Sequence, residues 1–273
     1  MSHPVLEVRD LRKVYPVGVS DDCPDGEFTA LHGESFTLAP GGSLAVVGES
    51  GSGKTTCARL IVGLERATSG VVLIDGVEQV RTRMGSARRR RRGRQVQIVF
   101  QDPYSSLDPR QRVRDCLAEV LTLHFDLDAR ARERRIDELL DQVGLDERQA
   151  GALPRALSGG QRQRVAIARA LAAEPKILIL DEAVAALDVS IQAQVLNVLA
   201  DVRDASGVAY LFITHDLAVV QQLCDDVVVM HSGRIVERGT VASVLEQPVH
   251  PYTRRLLASV PRPGWTPRRR TPA

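Results

Sequence analysis

Cysteine is scarce in this chain: Cys23, Cys57, Cys116 and Cys224 are the four among 273 residues. No two of them stand at a metal-ligand spacing, so neither a zinc site nor a disulfide scaffold is expected, and reduced thiols are the default. Aromatic residues make up 4%, too few for a stacking platform that binds single-stranded nucleic acid. The longest unbroken apolar run is Val208–Ile213, whereas a membrane-spanning helix needs about 20 residues. The opening MSHPVLEVRD has no basic stretch followed by an apolar one, so no secretion signal is expected and the cytosol is the default address. Lys and Arg number 36 against 34 Asp and Glu, a net charge of +2, which gives no overall field that would draw nucleic acid. Lysine is the scarcest charged residue, with only Lys13, Lys54 and Lys176.

What remains is ordinary globular material: 44% hydrophobic and 26% charged residues, enough for one large domain or two small ones. Val5-Leu6-Glu7-Val8 reads as a short alternating strand and Phe36–Leu38 as strand-like, and short apolar blocks recur at Leu44–Val47, Val71–Ile74, Val96–Phe100, Ile177–Leu180, Val208–Ile213 and Val227–Met230. They are too short for helices and are bounded by turn residues, as buried strands are. Between some of them apolar residues follow helical spacing: Ile136, Leu139, Leu140 and Val143, then Ile191, Val195, Val198, Leu199 and Val202. Strands alternating with helices predict an α/β sheet covered on both faces. Residues 260–273 are rich in Pro and Arg, a composition expected to stay disordered. Residues 1–259 are expected to form one domain.

Gly48-Glu49-Ser50-Gly51-Ser52-Gly53-Lys54-Thr55-Thr56 follows the Leu44–Val47 block and fits G-x-x-x-x-G-K-[ST]. Glycines let backbone N–H groups turn towards phosphate oxygens, and the helix that starts near Lys54 adds its positive end. Lys54 is expected on the β and γ phosphates of a nucleoside triphosphate and the Thr55 hydroxyl on Mg2+. Ile177–Leu180 delivers Asp181 and Glu182 to its C-terminal end, where a parallel sheet places its ligands. Asp181 suits the metal, and Glu182 suits the attacking water. Val208–Ile213 runs into Thr214-His215-Asp216, which puts an imidazole at the end of another buried strand. Leu157-Ser158-Gly159-Gly160-Gln161 is a second helix start with an N-cap serine and exposed N–H groups. Whether this second cradle serves the same chain's nucleotide or another's stays open on the residues alone.

In this order the motifs resemble the nucleotide-binding subunits of ATP-binding cassette (ABC) transporters over nearly the whole chain. GESGSGKTT looks like the family's Walker A loop, ILILDE like Walker B and LSGGQ like its signature loop. Gln101 is similar to the Q-loop glutamine, His215 to the switch histidine, Asp188 to the D-loop aspartate, and Tyr15 to the aromatic that stacks on adenine. The resemblance implies an α/β P-loop ATPase with a RecA-like core of mixed sheet, an N-terminal antiparallel β subdomain and a helical signature subdomain at about 102–160. It implies ATP and Mg2+ as ligands, with Ser50, Gly51, Ser52, Gly53 and Thr56 around the phosphates and Gln101 near the metal. It also implies a head-to-tail dimer, homo- or heteromeric, in which Ser158 and Gly160 complete the partner's site. Transmembrane permease subunits would be driven from the cytoplasmic face of the membrane, and an extracytoplasmic solute-binding protein would act indirectly.

FQDPYSSLDPR at 100–110 and HPYTRRLLASVP at 250–261 look like the dipeptide/oligopeptide/nickel importer branch. Ala183-Val184 stand where Pro-Thr is common, and Ala185 replaces the usual D-loop serine. No cysteine follows Cys224, so the iron–sulfur cluster carried by some relatives is not expected. A soluble cassette ATPase of DNA repair or translation is the competing class, yet the chain has one Walker A loop and no zinc spacing. An inactive regulatory subunit is the third, against which stand the intact Lys54, Glu182, Ser158, Gly160 and His215. Arg88–Arg92 with Arg94 reads as a solvated loop between strands, with an anionic contact as the sharper alternative.

Overall fold

The computed structural model describes residues 3–19, 24–79, 85–102 and 106–259. The expected disorder of 260–273 lies outside them, as does Cys23. In chain order the elements are β1 (Leu6–Pro16), β2 (Glu27–Leu38), β3 (Ser43–Val47), α1 (Lys54–Val62), β4 (Ser69–Ile74), β5 (Val77–Glu78), α2 (Ser86–Gly93) and β6 (Val96–Val99). There follow α3 (Val113–His124), α4 (Ala129–Gln142), α5 (Glu147–Ala150), a 3-10 turn at Pro154–Ala156, α6 (Gly159–Leu171), β7 (Ile177–Asp181) and α7 (Val189–Ser206). The described chain ends with β8 (Ala209–Thr214), α8 (Leu217–Leu223), β9 (Asp226–His231), β10 (Arg234–Thr240), α9 (Val241–Glu246) and α10 (Pro251–Ala258).

Two sheets result. The first is antiparallel, in the order β2-β1-β4-β5. The second has the order β10-β9-β3-β8-β7-β6; its strands run parallel except β10, which pairs antiparallel with β9. The apolar blocks are unbroken because this second sheet is buried on both faces. In β7, Ile177 and Ile179 pack towards α1 and the antiparallel sheet, whereas Leu178 and Leu180 pack under the helices. In β3, Leu44 and Val46 take the first face, and Ala45 and Val47 pack against α8 to α10.

Helices α3, α4 and α6 share a core through Leu117, Leu121, Ile136, Leu139 and Ile167. The helical spacing at Ile136, Leu139 and Leu140 is realised in α4, where Asp128 accepts the Ala131 N–H as N-cap. In α7, Val195, Leu199 and Val202 face inward, while Ile191 and Val198 are half-buried.

The arginine run departs from expectation. Ser86–Gly93 is a helix, not a loop, and Arg92 is only 7% exposed. Its guanidinium donates to the carbonyls of Leu60 and Ile61 at the end of α1. Those are carbonyls that a helix terminus leaves without intrahelical donors. A cation there also meets the negative end of the helix dipole. Burial without an ion pair among the described residues pulls the Arg92 pKa down to about 10. The remaining arginines of the run are exposed.

Candidate functional site: a phosphate loop at the edge of a parallel sheet

Parallel pairing decides which residues meet. Val47 lies opposite Thr214, and Ile213 opposite Asp181, so β3, β8 and β7 end side by side. Their continuations carry the Gly48–Thr56 loop, His215 and the Asp181-Glu182 pair. Gln101 follows β6, the next strand over, and is exposed. Ligands of open parallel sheets sit at this carboxyl edge.

The loop is shaped to hold an anion. Gly53 caps α1 at φ 101, and a Cβ there would stand 2.6 Å from the Ala30 carbonyl oxygen. Only glycine fits both constraints. The Lys54 side chain folds back beneath the loop, and its Nζ donates to the Gly48 and Glu49 carbonyls at 2.8 Å each, with Ser52 Oγ at 3.4 Å. Burial lowers the Lys54 pKa, against the pull of the Glu182, Asp181 and Glu49 carboxylates. An ammonium so desolvated gains from a phosphate partner. Ser52 is buried and Ser50 and Gly51 are exposed, while Thr55 and Thr56 are half-buried.

The Thr55 hydroxyl donates to Asp181 Oδ1 at 3.2 Å. Burial raises the Asp181 pKa, and the Thr55 hydrogen bond opposes that rise. This hydroxyl–carboxylate pair is an all-oxygen donor set, the kind Mg2+ prefers. Glu182 adopts φ 50, a left-handed conformation that costs a non-glycine residue about 1 kcal/mol. Its N–H donates to the Ile213 carbonyl at 2.8 Å, which ties the bend to β8. Its carboxylate Oε1 lies 3.3 Å from His215 Nδ1. Glutamate and imidazole are therefore presented as a pair.

The remaining expected residues sit further out. Tyr15 ends near α1: its hydroxyl bonds to Glu65 and to the Thr56 side chain, and the Lys13 ammonium lies 4.5 Å from its ring centroid. Ser158 caps α6 with a reciprocal box, its Oγ accepting the Gln161 N–H while Gln161 Oε1 accepts the Ser158 N–H. Gly160 allows α6 to approach α7, because a Cβ there would meet Ile191 Cγ2 at 2.2 Å. Asp188 stands at the N-cap position of α7 and is exposed, as is Val189 beside it.

Residues 26–185 match the family described as ABC transporter. The chain belongs to that family. Its 236–272 segment also matches the C-terminal region of oligopeptide/dipeptide transporters. The di/tripeptide transport ATP-binding protein of Pseudomonas aeruginosa is 46% identical over 94% of this chain and 79% of its own length. The dipeptide transport ATP-binding protein of Escherichia coli is 43% identical over 96% of this chain and 78% of its own. Among solved structures, a dimeric bacterial ABC transporter cassette superposes with TM-score 0.76 at 27% identity, covering 86% of this chain and 98% of that one. A dimeric post-hydrolysis cassette with bound ADP and Pi gives TM-score 0.74 at 26% identity, over 86% of this chain and 98% of its own. The cassette ATPase fold with its antiparallel sheet is thus the fold of this protein, and ATPase activity comes with the family.

One side chain that bonds to the loop lies outside the site residues expected from the sequence. Tyr252 Oη accepts the Glu49 N–H at 3.0 Å. Its place in His250-Pro251-Tyr252 is visible in the sequence, but a partner 203 positions away is not.

Proposed function

We propose that this chain binds Mg-ATP and hydrolyses it to energise the uptake of di- or oligopeptides through separate membrane subunits. The observation that carries the reading is the convergence at one sheet edge of Lys54 under the loop, the Thr55–Asp181 pair and the Glu182–His215 pair. Loop N–H groups and Lys54 bind the β and γ phosphates, and Thr55, Asp181 and Gln101 hold the cation. When bound, Mg2+ neutralises phosphate charge. Glu182 takes the proton of the attacking water, and His215, held on Glu182, faces the γ-phosphate. Tyr15 meets the adenine.

Two further parts rest on the family. Ser158, Gly160 and Asp188 belong to a second phosphate cradle that completes the site of another ATPase subunit in a head-to-tail dimer. Residues 1–259 act as one ATPase domain, docked on the cytoplasmic face of the membrane. The peptide cargo is supported by the names of the relatives and by the match at 236–272.

The test is the Glu182→Gln chain, tagged and purified from the membranes of its own cell. Glutamine keeps the shape and an acceptor for His215 but is no base. ATP turnover should fall by about 10²- to 10⁴-fold while ATP stays bound in a dimer, with multispanning subunits recovered alongside. Rapid turnover would refute the role of Glu182. Recovery of ribosomes or DNA-repair proteins in place of membrane subunits would refute the transport reading.

A further inference from the structure

We infer that Tyr252 is a positioning residue for the phosphate loop: its hydroxyl holds the Gly48–Glu49 peptide so that the Gly48 carbonyl faces the Lys54 ammonium. The inference rests on the ATP-site reading above and assigns the C-terminal segment a part in it.

The argument starts from one peptide plane. In a trans peptide the C=O and the following N–H point in opposite directions, and the plane between them is rigid. Here the Gly48 carbonyl accepts from Lys54 Nζ at 2.8 Å, and the Glu49 N–H of the same unit donates to Tyr252 Oη at 3.0 Å. Fixing one end fixes the other. The phenol is therefore the far anchor of the bond that aims the lysine.

The anchor is itself immobilised. Tyr252 is 2% exposed, and its ring stacks on His231 with centroids 4.0 Å apart and planes at 26°. His231 closes β9, the strand beside β3, which leads into the loop. The segment before Tyr252 is clamped to β10, since Glu237 accepts the Val249 N–H at 2.7 Å and the His250 N–H at 3.0 Å. His250 then caps α10 by accepting the Tyr252 N–H at 3.2 Å. A second tie comes from the β9–β10 turn, where the Gly233 N–H donates to the Ser52 carbonyl at 3.0 Å. The loop is thus braced from outside by elements that follow the catalytic strands in sequence, and Tyr252 is the side chain of that brace that bonds to the loop.

Tyr252→Phe removes the acceptor and keeps the stack on His231, so the fold survives. The full chain is titrated with Mg-ATP by calorimetry, and its melting temperature is measured without nucleotide. Ile136→Val, a cut of one methylene in the helical core, serves as the control for stability lost elsewhere. The expected result is a Kd for ATP raised about three- to tenfold in Tyr252→Phe, the range of one hydrogen bond. Ile136→Val, with a comparable loss of melting temperature, keeps the wild-type Kd. A Tyr252→Phe Kd within twofold of wild type, or an equal rise in Ile136→Val, overturns the inference. Absence of ATP binding by the wild-type chain would remove the site reading itself, and the inference with it.

Discussion

Replacing Lys54 by Met separates what the ammonium does for the protein from what it does for the nucleotide. The side chain is 5% exposed, and its charge is spent on two loop carbonyls at 2.8 Å. Burial disfavours that charge and lowers its pKa. Met fills nearly the same volume, giving up the two carbonyl bonds and the longer one to Ser52 but also the desolvation. These effects largely offset, so the nucleotide-free melting temperature should move by no more than a few degrees. The nucleotide-bound state behaves differently. Charge-assisted bonds to two phosphates are together worth about 3–6 kcal/mol, so Kd should rise by a factor of about 10² or more. ATP at a hundred times the wild-type Kd stabilises the folded state by about 2.7 kcal/mol. For 273 residues that is a rise of about 5 °C in Tm, at roughly 2.1 cal/mol/K of unfolding entropy per residue. The same ATP concentration should shift the Met variant by less than about 1 °C. Thermal melts with and without Mg-ATP decide the matter. A retained shift above about 3 °C would refute the phosphate role, and a nucleotide-free melt far below wild type would make Lys54 a structural residue instead.

Two further outcomes follow from charges in unusual places. Asp181, raised by burial and lowered by Thr55, should titrate above an ordinary aspartate in the nucleotide-free protein, and higher again in Thr55→Val. The sign is that burial disfavours the ionised form, so this carboxyl's cost to stability is fully present above its folded pKa and fades as the pH falls through it. NMR titration of the carboxyl carbon checks both shifts, and identical curves for the two proteins would refute the Thr55 contribution. Within the arginine run, Arg92→Ala strips the donors from the Leu60 and Ile61 carbonyls and opens a buried gap, at a cost of about 1–3 kcal/mol. Arg89→Ala, on the exposed side, should leave the denaturation midpoint where it was, and equal midpoints for the two variants would remove the capping role.

Much of this could be read in advance, for a physical reason. A strand buried on both faces needs apolar residues at every position, so Ile177–Leu180 and Val208–Ile213 stand out in any window. The phosphate loop is equally plain, because its glycines and its lysine are neighbours in sequence. The antiparallel sheet was harder to read. Leu6–Pro16 and Glu27–Leu38 extend well past Val5–Val8 and Phe36–Leu38, since their outer positions face solvent and carry polar residues. The arginine helix has no apolar periodicity at all, and one guanidinium does the packing that a leucine does elsewhere. Its partner is the carbonyl end of α1, which Gly63 marks in the sequence, but nothing in the sequence marks which side chain reaches those carbonyls. The Tyr252 contact is invisible for a related reason: the Glu49 N–H that it binds is common to nearly every residue type.

The strand order also sets a timetable for synthesis. Ser43, which opens β3, bonds through its N–H and hydroxyl to Asp225, 182 positions later, and both neighbours of β3 in the sheet come from that distal part of the chain. At about 5–20 residues per second, a ribosome needs roughly 10 to 40 s to bridge that interval. Until β8 is made, the five residues of β3, all buried in the finished protein, lack both strands they pair with. The phosphate loop therefore emerges early as sequence but late as structure. A nascent chain halted before β8 should have no nucleotide site, and its apolar strand becomes a target for chaperones until the last third of the protein arrives.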